Sequence, residues 1–273
     1  MNRPPLQHKT SWQPVSSWYN KAVGESGHYF HQHVVIPTTL RLLDLHPHDS
    51  LLDLACGQGV LERHIPKDIE YVGVDVAPSL VKFAQEHAEP GHRFITGDIT
   101  QPLPIQKRDF THAVVLLALQ NIEHPHLALT QATDHLRQNG KLLLIINHPC
   151  FRIPRQSSWG IDERNKTQYR RVDRYLSPLS IPIAATPSKG QRSAVTWSYH
   201  LPISAYAELL RKAGFVIEII EELGSDKVSV GTAAKMENRS CAEFPMFMAI
   251  VARKIGPPHP EHLYNASAMP VSR

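Results

Sequence analysis

Leu52-Asp53-Leu54-Ala55-Cys56-Gly57-Gln58-Gly59 is the stretch on which the reading of this chain turns. A short apolar run, 50–55, gives way to a loop with glycines two apart. Such Leu-rich runs suit strands buried on both faces. Gly57 and Gly59 allow the backbone to pass close to a ligand where a side chain would collide. A second apolar run, Tyr71-Val72-Gly73-Val74, ends in Asp75, 16 residues after Gly59. In doubly wound sheets ligands bind outside the carboxyl ends of the strands, and an acid at this place can accept two hydrogen bonds from a ribose diol. A nicotinamide dinucleotide would use both features, but its fingerprint needs a third small residue where this chain has Glu62. It also has no use for Asp53 inside the first strand. An unpaired carboxylate there would be costly, so a partner is expected, either a ligand ammonium or backbone amides. The pattern favours a nucleoside that carries an amino acid.

Outward from this loop, short apolar runs at 50–55, 71–74, 93–96, 112–117, 141–147, 215–221 and 247–253 alternate with helical patterns. Leu80, Phe83, Ala84 and Ala88 recur on one helical face, as do Leu129, Ala132 and Leu136. Tyr206, Leu209, Leu210 and Ala213 form the best stripe, with Ser204 as the expected N-cap and Gly214 as the stop. Strand–helix alternation predicts right-handed crossovers and a doubly wound α/β fold with a mostly parallel seven-stranded sheet. Two segments interrupt it. One is a helix candidate near 28–45, preceded by Trp18-Tyr19. The other is 148–200, rich in Pro, Arg and aromatic residues and poor in periodicity, as functional covers often are. Residues 1–15 read as a disordered lead and 256–273, with Pro257-Pro258-His259-Pro260, as a disordered tail.

The 273 residues are 42% hydrophobic and 20% charged, which excludes a wholly disordered chain. No run reaches the roughly 18 apolar residues of a spanning helix, and Met1-Asn2-Arg3-Pro4-Pro5 lacks a signal-peptide core. Three widely spaced cysteines suggest neither a disulfide framework nor a metal pair, so a cytoplasmic setting is expected. The net charge is +4, and its source is local: residues 151–192 hold nine basic residues against three acids. That points to an anionic or polar acceptor more than to broad nucleic-acid binding.

These residues resemble the class I S-adenosylmethionine-dependent methyltransferases. Asp53 to Gly59 is similar to the family pattern D-x-G-x-G-x-G, with Ala55 replacing the first glycine. Asp75 falls where the ribose-binding acid lies, and Gly97-Asp98-Ile99 resembles the adenine-binding acid and the apolar residue after it. Asp109 to Val115 continuing to Leu119-Gln120-Asn121-Ile122, Leu136 to Leu142, and Ala213-Gly214-Phe215 resemble the fourth-strand, fifth-strand and sixth-strand segments. The likeness spans 50–147 and 203–254 and is nearest in flavour to small-molecule enzymes of the quinone-biosynthesis type. It implies a Rossmann-like methyltransferase fold over a single domain, 16–255, with cap helices in 16–49 and an active-site insertion, 148–200, after strand five. It implies S-adenosyl-L-methionine as cofactor and S-adenosyl-L-homocysteine as product. Cofactor contacts would come from Asp53, Ala55, Cys56, Gly57, Gly59, Asp75, Val76, Asp98, Ile99 and Leu116, with Tyr19 and Tyr29 of the cap over the donor. On the residues alone, Gly57 and Gly59 equally suit a strand-to-helix turn. Asp75 and Asp98 equally suit helix caps, and Cys56 suits a packing role.

Methyl transfer needs a base only where the nucleophile must lose a proton. After strand five, Asn147-His148-Pro149-Cys150-Phe151-Arg152-Ile153-Pro154-Arg155 reaches the same sheet edge as the glycine loop. His148 is the candidate general base; its alternative role is to fix the turn by hydrogen bonding. Arg152 and Arg155 could hold a carboxylate or phosphate on the acceptor, with His33, Gln120, Trp159 and Tyr175 as further acceptor contacts. Trp159, Tyr169, Tyr175 and Trp197 suit an aromatic acceptor or the insertion's own small core. His31/His33, His46/His48 and His124/His126 are His-x-His pairs, but residues two apart on a helix do not converge, so no metal is expected. The leading function is methylation of a small molecule by a monomer or homodimer. The alternatives are an RNA methyltransferase, favoured by Arg164, Lys166, Arg170, Arg171 and Arg174 around Tyr169, or a non-catalytic protein that binds the same nucleoside.

Overall fold

The computed structural model describes residues 12–24, 26–185 and 193–259. In chain order the strands are β1 (Ser50–Leu54), β2 (Glu70–Asp75), β3 (Arg93–Thr96), β4 (Phe110–Leu116) and β5 (Leu136–Asn147). The 148–200 segment follows with β6 (Ser157–Asp162), β7 (Thr167–Val172), β8 (Leu179–Ala184) and β9 (Val195–His200), and β10 (Phe215–Leu223) and β11 (Phe247–Lys254) end the chain's strands. The helices are α1 (Ser16–Val23), α2 (Ile36–Leu43), α3 (Pro78–His87), α4 (Pro125–His135), α5 (Ile203–Lys212) and α6 (Ala234–Glu243), and a π-helical turn, His31–Val35, leads into α2.

All seven expected runs lie in one sheet, of order β10-β11-β5-β4-β1-β2-β3. β11 runs antiparallel to both neighbours, and the remaining pairings are parallel. The chain steps outward from β1 to β2 and β3 on one side and from β4 to β5 on the other. The crevice at this switch point opens where the ends of β1 and β4 diverge.

Period-two alternation gives each strand two apolar faces. Leu52, Leu54, Val72, Val74, Leu142 and Leu144 meet Leu129 and Ala132 of α4 and Tyr206 and Leu210 of α5 in one layer. Leu51, Tyr71, Val114, Leu143 and Ile145 meet Leu42 and Leu43 of α2 and Val81 and Ala84 of α3 in the other. Every side chain of β1 is buried, so the strand is all core and its end has no freedom to wander.

Three expectations need correction. Ser204 lies inside α5, whose cap residue is Pro202 with no side-chain bond; Gly214, at φ +85°, does end the segment. A Cβ at Gly214 would collide with the carbonyl oxygens of Gly256 and Pro257. The start of the expected tail is therefore packed: Ile255 donates to the Gly214 carbonyl at 2.9 Å and His259 to that of Lys212 at 2.7 Å. Likewise Gln13–Val15 of the expected lead forms a short turn bonded to Ser79. Residues 1–11 and 260–273, the remainder of the expected lead and tail, lie outside the described residues.

The third correction concerns 148–200, which contains two antiparallel hairpins, β6–β7 and β8–β9. β6 and β7 are half-exposed along both faces and so show no apolar alternation. β8 carries Pro182, tolerated because a two-stranded sheet leaves one edge of each strand unpaired. Residues 186–192, including Lys189 and Arg192, lie outside the described residues.

Candidate active site

A cavity of about 580 Å³ lies at the carboxyl ends of β1 to β4. Its floor comes from Ala55 and Gly57 after β1, Asp75 and Val76 after β2, Gly97 to Gln101 after β3, and Leu116 to Ala118 after β4. Trp12, Tyr19 and His31 of the N-terminal segment also line it, as do Asn121 to His124 and Leu127.

Backbone bonds fix the floor. Cys56 donates to the Val74 carbonyl and Gly59 to that of Cys56, each at 3.0 Å. Ala55, Gly57 and Gly59 all have positive φ (64°, 57° and 79°), so Ala55 adopts the conformation that glycine takes most easily. A Cβ at Gly57 would lie 3.8 Å from the Tyr19 hydroxyl, filling the space between loop and cap. At Gly59 it would lie 2.8 Å from the Phe94 ring, so that glycine serves close packing.

Among the described acids of the lining, Asp75 is the buried one. It is 8% exposed; Gly57 donates to one carboxylate oxygen at 2.9 Å and Ala77 to the other at 2.8 Å. Burial raises its pKa, opposed by the amides of Ala77, Gly57 and Val76. The cap residue of α3 is Ala77, so Asp75 does not cap that helix. Each carboxylate oxygen keeps acceptor capacity for a hydroxyl. Asp98 is exposed to the cavity and accepts from the Thr100 amide at 2.9 Å and hydroxyl at 2.7 Å. Beside Asp75 the Tyr19 phenol is pushed up to about 12, first by burial and then by that carboxylate, so it stays a neutral donor.

Of the expected cofactor residues, Tyr19, Ala55, Gly57, Asp75, Val76, Asp98, Ile99 and Leu116 line the cavity. Asp53, Cys56, Gly59 and Tyr29 do not. Asp53 is 2% exposed under the loop and accepts a 2.6 Å hydrogen bond from the Tyr71 hydroxyl. Its partner is thus a phenol, neither of the two expected. Burial pushes its carboxyl up to about 7, against the pull of that bond. Cys56 is packed near Gly73, whose Cβ would meet its sulfur at 2.9 Å. Tyr29 stacks on His33 with ring centroids 4.2 Å apart, beneath the Lys227 ammonium, while His33 pairs with Asp226 at 3.0 Å. Both thus face the loop after β10. Glu62, which spoiled the dinucleotide fingerprint, is buried and accepts from the Glu89 amide and the His92 ring at 2.9 and 2.6 Å.

The expected acceptor residues also lie outside the cavity lining. His148 is 1% exposed, and both ring nitrogens are used. Nδ1 accepts from the Cys150 and Phe151 amides at 3.1 and 3.3 Å, so Nε2 carries the proton and donates to Glu222 at 2.7 Å. No lone pair is left to take a substrate proton; His148 fixes the turn. Tyr175 accepts from the Ile203 amide at 3.1 Å, anchoring the β8–β9 hairpin to α5. Trp159 packs on Phe244 under the Arg170 guanidinium. Gln120 donates to the Leu117 carbonyl at 2.6 Å, behind the turn that ends β4. Arg155 is exposed at φ +61°. Arg152 stands apart: it lies 5.2 Å over the Phe247 ring, its pKa is lowered by burial and by Arg170, and it pairs with no carboxylate among the described residues.

The sequence did not single out Trp12 or Asn121 for the site, and it put His31 in the expected cap without marking it as a contact. Trp12 packs on Tyr19 of α1, although it falls in the expected lead, 1–15, and outside the expected cap, 16–49. His31 reaches the cavity through the π-helical turn, which shifts the helical register and leaves no sequence signal.

The family described as "Methyltransferase domain" matches residues 52–144. A crystal structure of an S-adenosylmethionine dependent methyltransferase from Mesorhizobium loti is 24% identical, with TM-score 0.61 over 79% of this chain and 96% of that one. One from Clostridium acetobutylicum is 15% identical, with TM-score 0.56 over 90% and 99%. An uncharacterized 37.1 kDa protein in transposon TN4556 of Streptomyces fradiae is 24% identical over 211 residues, which are 70% of this chain and 61% of that protein. No described helix is long and apolar enough to cross a membrane. Residues 52–144 thus match a methyltransferase domain, and the chain has the Rossmann-like fold seen in S-adenosylmethionine dependent methyltransferases.

Proposed function

We propose that this protein transfers a methyl group from S-adenosylmethionine to a small-molecule acceptor that carries an anionic group. The observation that supports the donor is the Asp75 carboxylate, buried at the cavity wall and held by two amides with acceptor capacity remaining. The cavity volume, about 580 Å³, suits a nucleoside amino acid with room beside it. Asp75 would hold the ribose diol, Asp98 and Ile99 the base, and the Ala55–Gly57 turn the amino-acid half.

When bound, the cofactor supplies an activated methyl on a sulfonium, a good leaving group for in-line displacement. The chain's task is then alignment and exclusion of water. Tyr19 and Trp12 close the cavity from above, and the Tyr19 phenol stays protonated beside Asp75. With His148 committed to Glu222 and two amides, it supplies no base.

The anionic character of the acceptor rests on Arg152. A guanidinium partly removed from water with no carboxylate partner among the described residues is suited to a ligand's negative group. His28, whose pKa is lowered first by burial and in part by Arg152, packs tilted against cavity-lining His31 with centroids 4.1 Å apart, and so links the two places. Nucleic acid is less well supported, because two cations of the basic stretch are engaged within the chain. Arg170 bonds the Phe151 carbonyl and the Ser157 hydroxyl, and Arg171 pairs with Asp173.

Thermal-shift titration with S-adenosylhomocysteine tests the donor, and methyl transfer to matched carboxylate, phosphate and neutral acceptors tests the rest. No shift at millimolar ligand would refute the cofactor reading. Turnover of neutral acceptors alone, unaffected by Arg152→Gln, would refute the anionic one.

A further inference from the structure

We propose that His31 binds the carboxylate of the cofactor's amino-acid half, an inference that rests on the S-adenosylmethionine reading above. The cavity is acidic at three places, Asp75, Asp98 and Glu123, yet among the described residues neither lysine nor arginine lines it. A ligand with an α-carboxylate needs a donor at the end away from the base. His31 and His124 are the two imidazoles in the lining among the described residues. His124 is the cap residue of α4, and its carbonyl accepts from the Leu127 amide at 3.1 Å, so it belongs to the segment after β4 and not to the N-terminal cap. His31 sits against the glycine loop: a Cβ at Gly27 would lie 2.5 Å from the His31 Cβ and 3.0 Å from the Val60 side chain. Gly27, at φ +87°, thereby lets the ring approach the residue that follows Gly59.

The ring is also unspent. His31 is 9% exposed, and its Nδ1 is buried without a hydrogen-bond partner among the described residues. Leaving a buried polar atom unpaired is costly, and π-helical turns of the kind that presents this ring recur at functional sites. Trp12 and Tyr19 are donors too, but Trp12 adjoins Gln13, which is bonded to Ser79 of α3, the helix that follows Asp75, and the Tyr19 phenol lies beside Asp75 itself. Burial and the neighbouring His28 hold the free ring near pKa 4, hence neutral. A carboxylate against it would supply the missing partner. The titratable groups around it are His28, just before its turn, and Asp75 and Tyr19 of the same lining; Lys227 and Arg152 lie beyond His28.

Calorimetric titration at neutral pH of the wild type, His31→Asn and His31→Ala with two nucleosides tests this. S-adenosylhomocysteine has the amino-acid half, and methylthioadenosine lacks it. Loss of a charge-assisted hydrogen bond predicts about 10- to 100-fold weaker binding of the first ligand by His31→Ala, with a smaller loss in His31→Asn. Methylthioadenosine affinity should stay within about twofold, which also certifies that the variants fold. Equal affinity of wild type and variants for S-adenosylhomocysteine overturns the assignment. So does parallel loss of both ligands, which would make His31 a wall of the pocket. If the wild type binds neither nucleoside, the donor reading itself fails and this inference with it.

Discussion

Replacement of Asp53 by asparagine should make the protein relatively more stable as pH rises. The carboxyl is 2% exposed, bonded to the Tyr71 hydroxyl at 2.6 Å and held near pKa 7, chiefly by burial. In the unfolded chain an aspartate titrates at about 3.9. The folded state therefore keeps its proton through a range in which the unfolded state has lost it. This contribution is fully present below the unfolded value and is lost as pH rises through the folded one. The two values differ by about three units, so the loss approaches about 4 kcal/mol well above pH 7. Roughly 2.5 kcal/mol of that falls between about pH 5 and about pH 8. Asparagine does not titrate, and its carbonyl can still accept from Tyr71. Urea unfolding of both proteins, followed by tryptophan fluorescence across that range, gives the difference in stability at each pH, and titrations elsewhere in the chain cancel. The Asp53→Asn variant should gain about 2.5 kcal/mol on the wild type over the range. A difference that stays flat within about 0.5 kcal/mol would refute the buried-acid argument.

Asp75→Ala removes the acceptor for the Gly57 and Ala77 amides as well as the ligand contact; S-adenosylhomocysteine affinity should fall at least about 100-fold by calorimetry, and unchanged affinity would sink the ribose assignment. Gly59→Ala places a Cβ 2.8 Å from Phe94 at φ +79°, so the denaturation midpoint should drop by the equivalent of about 2 kcal/mol or more. His148→Ala strands the Cys150 and Phe151 amides and should cost about 2–4 kcal/mol of stability. Methylthioadenosine binding by that variant should be retained when measured well below its melting temperature; selective loss of turnover with normal stability would restore a catalytic role.

Which parts of the site were legible follows from how far apart in the chain their determinants lie. Gly57 and Asp75 were readable because a strand, a tight turn and an acid at a strand end are local patterns, and the sheet aligns their ends. His148 was misread because its role depends on Glu222, 74 residues away. Tyr175, Trp159 and Tyr29 are aromatic residues whose composition suits a ligand, yet each is taken up by a neighbour: Ile203, Phe244 and His33. The hairpins of 148–200 were invisible because two-stranded ribbons exposed on both sides need no apolar alternation.

By itself the sequence determined the seven strands and the glycine-loop floor of the site. Burial on both faces demands apolar runs, and a close turn demands glycine or the strained Ala55 that stands in for one. The tertiary structure alone decided that Asp53 answers to Tyr71, that Arg170 and Arg171 of the basic insertion find their partners within it, and that His31 enters the cavity. Those outcomes depend on which side chains meet across the fold, and a buried polar atom takes whichever partner the packing brings within reach.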